Sequence, residues 1–77
     1  MMKTQVCDAI IHIDESLENW QYNVLEDHMR VQKGVITTGH NNNASHILFV
    51  EYNPNKNNVN NLLKMIKRHG YHAERIN

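Results

Sequence analysis

Apolar and polar positions divide the chain into short segments of alternating character. Ala9 to Ile13 is an apolar run of strand length, too short for a helix. Asp14-Glu15-Ser16 ends that run, and apolar residues then return at helical spacing. Leu17, Trp20, Val24, His28 and Val31 share one face, with Leu25 beside them, which predicts a helix from about Ser16 to Val31. Asp14 or Ser16 would cap it, and Glu15 and Glu18 suit its positive end. Gln32-Lys33-Gly34 ends it, with Gly34 as the left-handed stop. Val35 to Thr38, β-branched throughout, predicts a second strand. Gly39 to Ser45 is a polar turn, and His46 to Tyr52 a third strand. Glu51 argues for Leu48 and Val50 pointing inward on that strand, rather than Ile47 and Phe49. After the turn Asn53-Pro54-Asn55, Asn57 or Asn58 caps a second helix that runs to about His69. Val59, Leu62, Leu63 and Ile66 form its apolar stripe, and Gly70 stops it. Tyr71 to Ile76 predicts a last strand. Lys3 to Asp8 reads as a lead-in that extends the first.

The order β-α-β-β-α-β is the split βαβ, ferredoxin-like arrangement of an α+β domain. Right-handed crossovers put both helices on one face of a four-stranded antiparallel sheet with order 4-1-3-2. Strands one and three are then central, which suits the two most apolar runs, Ile10 to Ile13 and Ile47 to Val50.

Composition narrows the function more by exclusion than by indication. The 77 residues predict one domain, 1–77. Eight Lys and Arg balance eight Asp and Glu. A neutral chain argues against nucleic-acid binding and against a charge-driven membrane binder. An RNA-recognition motif has the same element order, and Phe49-Val50-Glu51-Tyr52 resembles its third strand. Its first strand, however, needs a stacking aromatic, and Ala9 to Ile13 has none. The one cysteine, Cys7, allows no internal disulfide and reads as an incidental reduced thiol. No apolar run is long enough to insert in a membrane, and Asp8 interrupts any signal-peptide core. A cytoplasmic location is the expectation. No nucleophile elbow, phosphate loop or dinucleotide fingerprint is present, so the chain is not expected to be an enzyme. Trp20 and Tyr22 read as packing or partner surface.

The second helix and its exit, Val59-Asn60-Asn61-Leu62-Leu63-Lys64-Met65-Ile66-Lys67-Arg68-His69-Gly70-Tyr71, resemble the heavy-metal-associated domain of small copper chaperones and metal-pumping ATPases. Gly70-Tyr71-His72-Ala73-Glu74 and Gly34-Val35 add to that resemblance, which runs from about Ala9 to Ile76. It implies a ferredoxin-like fold, a small metal-handling role and a metal transporter as partner. The family's defining pair of cysteines, two residues apart after the first strand, is missing. Ile13-Asp14-Glu15-Ser16-Leu17-Glu18-Asn19-Trp20-Gln21 contains none, and Cys7 lies upstream.

The topology supplies an alternative to that pair. His12 ends the first strand, His40 follows the second, His46 begins the third, His69 ends the second helix and His72 begins the last strand. Five of the six histidines, with Asp14 and Glu15, thus map to the edge where the family places its metal. His12 and His46 are the foremost pair, since strands one and three are neighbours. Imidazole and carboxylate favour a divalent Zn, Fe, Ni or Co, with Cu(I) disfavoured. The same residues have plainer readings. Edges are polar, His69 suits a helix C-terminus, His28 suits a hydrogen-bonded boundary position, and clustered histidines make a pH-sensitive surface. The competing function is a degenerate family member that binds another protein, or itself as a homodimer, through the open sheet face.

Overall fold

The computed structural model describes residues 5–77, so the start of the expected lead-in, at Lys3 and Thr4, lies outside the described residues. Its elements are β1 (Cys7–Ile13), α1 (Asn19–Arg30), β2 (Val35–Asn41), β3 (Ala44–Tyr52), α2 (Val59–Arg68) and β4 (Ala73–Arg75). The strands form one antiparallel sheet ordered β2-β3-β1-β4, which is the expected 4-1-3-2 counted from the other edge. Period-two alternation sends Ala9, Ile11 and Ile13 of β1, and Leu48, Val50 and Tyr52 of β3, to the helix-covered face. Leu25 and Met29 of α1 and Leu62 and Ile66 of α2 close the core over them. Gly34 and Gly70 both take positive φ at the helix exits, as expected.

Helix α1 departs from expectation in two ways. It begins at Asn19, not Ser16, because the Gln21 side-chain oxygen accepts from the Glu18 N–H at 2.8 Å and holds the first turn there. Its buried face is Tyr22, Leu25, Glu26 and Met29, whereas Trp20 and Val31 are 62% and 80% exposed. Both stripes have helical spacing and share the Leu25 neighbourhood. Tyr22 packs on His40 and Met29 on Thr38, both in β2, and this tertiary packing selects their stripe.

The β2–β3 hairpin is tighter than its polar sequence suggests. β2 continues to Asn41 and β3 starts at Ala44, so most of the expected turn from Gly39 to Ser45 is strand. The register then jumps from Asn41↔Ala44 to His40↔Leu48, leaving residues 45–47 as a bulge. His46 sits in it with φ 68°. A bulge breaks alternation and re-aims side chains, and this one decides where His46 points.

The uncovered sheet face carries Ile10 and Phe49, direct cross-strand partners 37% and 42% exposed. No helix among the described residues is long and apolar enough to cross a membrane.

Candidate functional site

The segment joining β1 to α1, the first turn of α1 and the β2–β3 hairpin enclose an open cleft of about 810 Å³. Leu17, Trp20, Tyr22, His40 and His46 line it. His46 reaches back across the sheet, and its Nδ1 lies 2.8 Å from the Ile13 carbonyl oxygen. A carbonyl only accepts, so Nδ1 donates, and Nε2 is the ring's free nitrogen. His40 is held in a parallel way. Its Nδ1 bonds the carboxylate of Glu26, a residue only 4% exposed. Its ring stacks on Tyr22, with centroids 4.7 Å apart and planes 14° from parallel. Arg30 donates to the other Glu26 oxygen at 3.3 Å. Burial pushes the Tyr22 hydroxyl up from its ordinary value, opposed by the His46 main chain beside it, so the phenol stays neutral. The cleft therefore contains two imidazoles, each fixed through Nδ1 by a main-chain or buried acceptor.

The remaining expected site residues divide into separate pairs. The His12 ring stacks against His46 with centroids 5.7 Å apart. His12 Nδ1 lies 3.2 Å from Asp14 Oδ1, but the alignment is wrong for a hydrogen bond, and this nitrogen is buried without a partner. His72 pairs with Glu15, and His69 Nε2 lies 3.2 Å from His28 Nδ1 on α1. Among the described residues, no three His, Cys, Asp or Glu side chains gather closely enough to hold a metal ion together. The sequence reading takes Tyr22 as packing or partner surface and does not single out Glu26. A glutamate on the Tyr22–Leu25–Met29 stripe was the signal, since a carboxylate on a buried face requires a partner.

Glu15 clamps the β1–α1 segment to the start of β4. One carboxylate oxygen accepts from the His72 N–H at 2.8 Å, and the other meets His72 Nδ1 at 2.7 Å. The Asp14 N–H also donates to the His72 carbonyl at 2.9 Å. The His72 side chain holds the Glu15 carboxyl below its usual range, and the Glu15 carboxylate raises His72. The lowered acid contributes above its unfolded value and is lost as pH falls through its folded value. The raised histidine contributes below about pH 6.5 and is lost as pH rises through its folded value. The clamp is therefore strongest between the two. By NMR, the His72 ring should titrate above an ordinary exposed histidine, and Glu15→Gln should return it to the ordinary range. An unchanged midpoint in that variant would mean the pair does not form in solution.

No family model matches the sequence, and no curated protein matches it. Solved structures do match. The N-terminal domain of a potential copper-translocating P-type ATPase from Bacillus subtilis, in the Cu(I)-loaded state, superposes with a TM-score of 0.83 at 22% identity, covering 92% of this chain and 88% of that one. The copper binding domain of HMA7, a P-type ATPase, gives 0.80 at 16% identity, over 91% and 93% of the two chains. Oxidized MerP from Ralstonia metallidurans CH34 gives 0.83 at 12%, over 95% and 100%. The fold is that of the heavy-metal-associated domain.

At these identities the likeness concerns fold, and it agrees with the resemblance seen in the second helix and its Gly70-Tyr71 exit. It also corrects the expected metals. Zn, Fe, Ni or Co were preferred to Cu(I) from donor softness alone, yet two of these matching domains are described with copper, one of them loaded with Cu(I). The softness argument ranked donor types without regard to fold, and imidazole is itself a copper ligand.

Proposed function

We propose that the domain handles copper as cargo and is not a catalyst, with His40 and His46 in the cleft taking the place of a thiolate pair. One observation carries this reading: both imidazoles are held through Nδ1, by Glu26 and by the Ile13 carbonyl. Metal-binding histidines are oriented in this way, with the second nitrogen tied to a carboxylate or carbonyl. His12, stacked on His46, backs the pair from β1. His72, Glu15 and Asp14 act in this reading by fixing the β1–α1 segment, and His69 takes no part. Copper as the cargo is supported by the matching ATPase domains. By the same analogy, the domain serves a metal transporter in the cytoplasm.

Trp20, the single tryptophan, lines the cleft and reports on it. Copper, as Cu(II) in air and Cu(I) under reducing anaerobic conditions, should quench its fluorescence at one equivalent per chain. His46→Gln and His40→Gln should each weaken binding by about ten-fold or more, and His28→Gln should not. Full-strength binding in the His40→Gln/His46→Gln double variant would remove these residues from the site. Absence of binding in the unaltered protein would remove the copper reading. A second reading, an interaction module, rests on the exposed Ile10–Phe49 pair of the open sheet. Failure to bind copper, together with concentration-dependent association in light scattering, would favour it.

A further inference from the structure

The fold gathers positive charge at the end of α1 away from the copper cleft. A groove of about 290 Å³ between the α1–β2 turn, the β3–α2 turn and the flank of α2 is lined by Lys33, Lys56, Lys64 and Arg68, over Met65, with Asn61 at its side. These are four of the chain's eight lysines and arginines, although the net charge is zero. Among the described residues, none that lines the groove is acidic. Among the described lysines and arginines, only Arg30 stands within salt-bridge reach of a carboxylate.

Local propensity does not explain this arrangement. Arg68 has an ordinary reason to sit where it does, since a cation suits a helix C-terminus. Lys64 is its i, i+4 neighbour, a like-charge spacing that costs a helix a few tenths of a kcal/mol. Lys33 and Lys56 belong to different turns that the fold pins side by side. The Asn57 side chain donates to the Lys33 carbonyl at 2.8 Å, and the Asn53 N–H donates to the Gly34 carbonyl at 2.7 Å. Gly34, at φ 84°, makes the approach feasible, because a Cβ there would stand only 2.8 Å from the Lys56 Cβ. Like charges are thus held together by hydrogen-bonded turns without a neutralising carboxylate among the described residues. An anion bound in the groove would relieve that repulsion.

We propose that this groove docks an acidic peptide segment of a partner protein. Among the described residues, the lining contains no aromatic side chain and offers bases no stacking platform, which disfavours a single-stranded nucleic acid. It is concave and carries no exposed apolar side chain to enter a bilayer, which disfavours a lipid surface. Carboxylates spaced along an extended chain match cations arrayed around a groove, and the Gln32 and Asn61 carboxamides on its wall suit peptide groups. The groove lies beyond the C-terminal end of α1, roughly 18 Å along that helix from the first turn beside the cleft. A docked peptide would therefore leave His40 and His46 accessible.

The test uses the full chain and a fluorescein-labelled deca-glutamate peptide, followed by anisotropy at about 20 and about 150 mM salt. The peptide should bind, more weakly at the higher salt. Lys56→Gln/Lys64→Gln should weaken it by about ten-fold or more, whereas Lys67→Gln/Arg75→Gln, with the same loss of charge elsewhere, should change it by about two-fold or less. All four positions are exposed, and thermal melts would confirm that both variants fold. No binding, equal loss in the two double variants, or tighter binding of oligothymidylate or phosphatidylserine vesicles would each overturn the proposal.

Discussion

Ile11→Ala is expected to cost about 2–5 kcal/mol of folding stability. Ile11 is fully buried in the central strand β1, facing the helices between Leu48 of β3 and Arg75 of β4 in the register. The truncation loses transfer free energy and leaves a cavity between two layers that have little freedom to collapse. A domain of this length has a total stability of roughly 4–12 kcal/mol, so a large share of the molecules should unfold under conditions where the parent is stable. Ile10→Ala is the internal control. Its side chain is the next along the strand, on the open face and 37% exposed, and its loss should cost under about 1 kcal/mol. Urea unfolding followed by circular dichroism measures both. A greater loss from Ile10→Ala than from Ile11→Ala would mean that β1 is turned over, with its alternation reversed relative to the helices.

The second large effect is an asymmetry within the cleft. Glu26 is 4% exposed and its carboxylate is satisfied by His40 and Arg30. His40→Ala removes one of those partners and leaves a sealed carboxylate depending on Arg30, whose side chain is half exposed. That is the unfavourable way to break a buried pair, and it should cost about 3–5 kcal/mol. Glu26→Ala removes the acid and leaves an imidazole that stays stacked on Tyr22, a smaller penalty than a sealed carboxylate short of a partner, so about 1–3 kcal/mol is expected. The double variant should fall short of the sum by about 1–3 kcal/mol. Urea unfolding of the four proteins closes the cycle. Strict additivity, or a greater loss from Glu26→Ala than from His40→Ala, would show that the carboxylate draws no stability from the histidine. For copper measurements, His40→Gln is therefore the safer variant, since an amide can still donate to Glu26.

The two effects differ in how visible their origins are along the chain. Ile11 and Leu48 declare themselves through period-two alternation, because a strand buried on one face must present every second residue to the core. The same holds for the Leu62–Ile66 stripe of α2 and for Gly34 and Gly70, whose positive φ follows from their place after a helix. On α1 two stripes of helical spacing compete, and local sequence does not rank them. Trp20, Val24 and Val31 have the apolar character, yet Tyr22, Leu25 and Met29 are the residues buried in the core. Glu26 comes with that second stripe, so mistaking the face concealed the residue that orients His40.

Element order, the ferredoxin-like architecture and the lack of a cysteine pair after β1 are legible along the chain. Those features depend on short-range periodicity, on turn-forming residues and on composition. Which histidines share a cleft, and which nitrogen of each remains free, follow from contacts between distant segments. His40 turns toward α1 because a buried glutamate four residues after Tyr22 claims its Nδ1. His46 meets Ile13 because a bulge in β3 puts its backbone at φ 68° and releases it from alternation. The groove of four cations was equally hidden, since Lys33, Lys56, Lys64 and Arg68 are neighbours only after two turns dock across Gly34. A side chain's bonding partner is set by contacts between segments far apart in the chain, and periodicity within one segment carries no information about them.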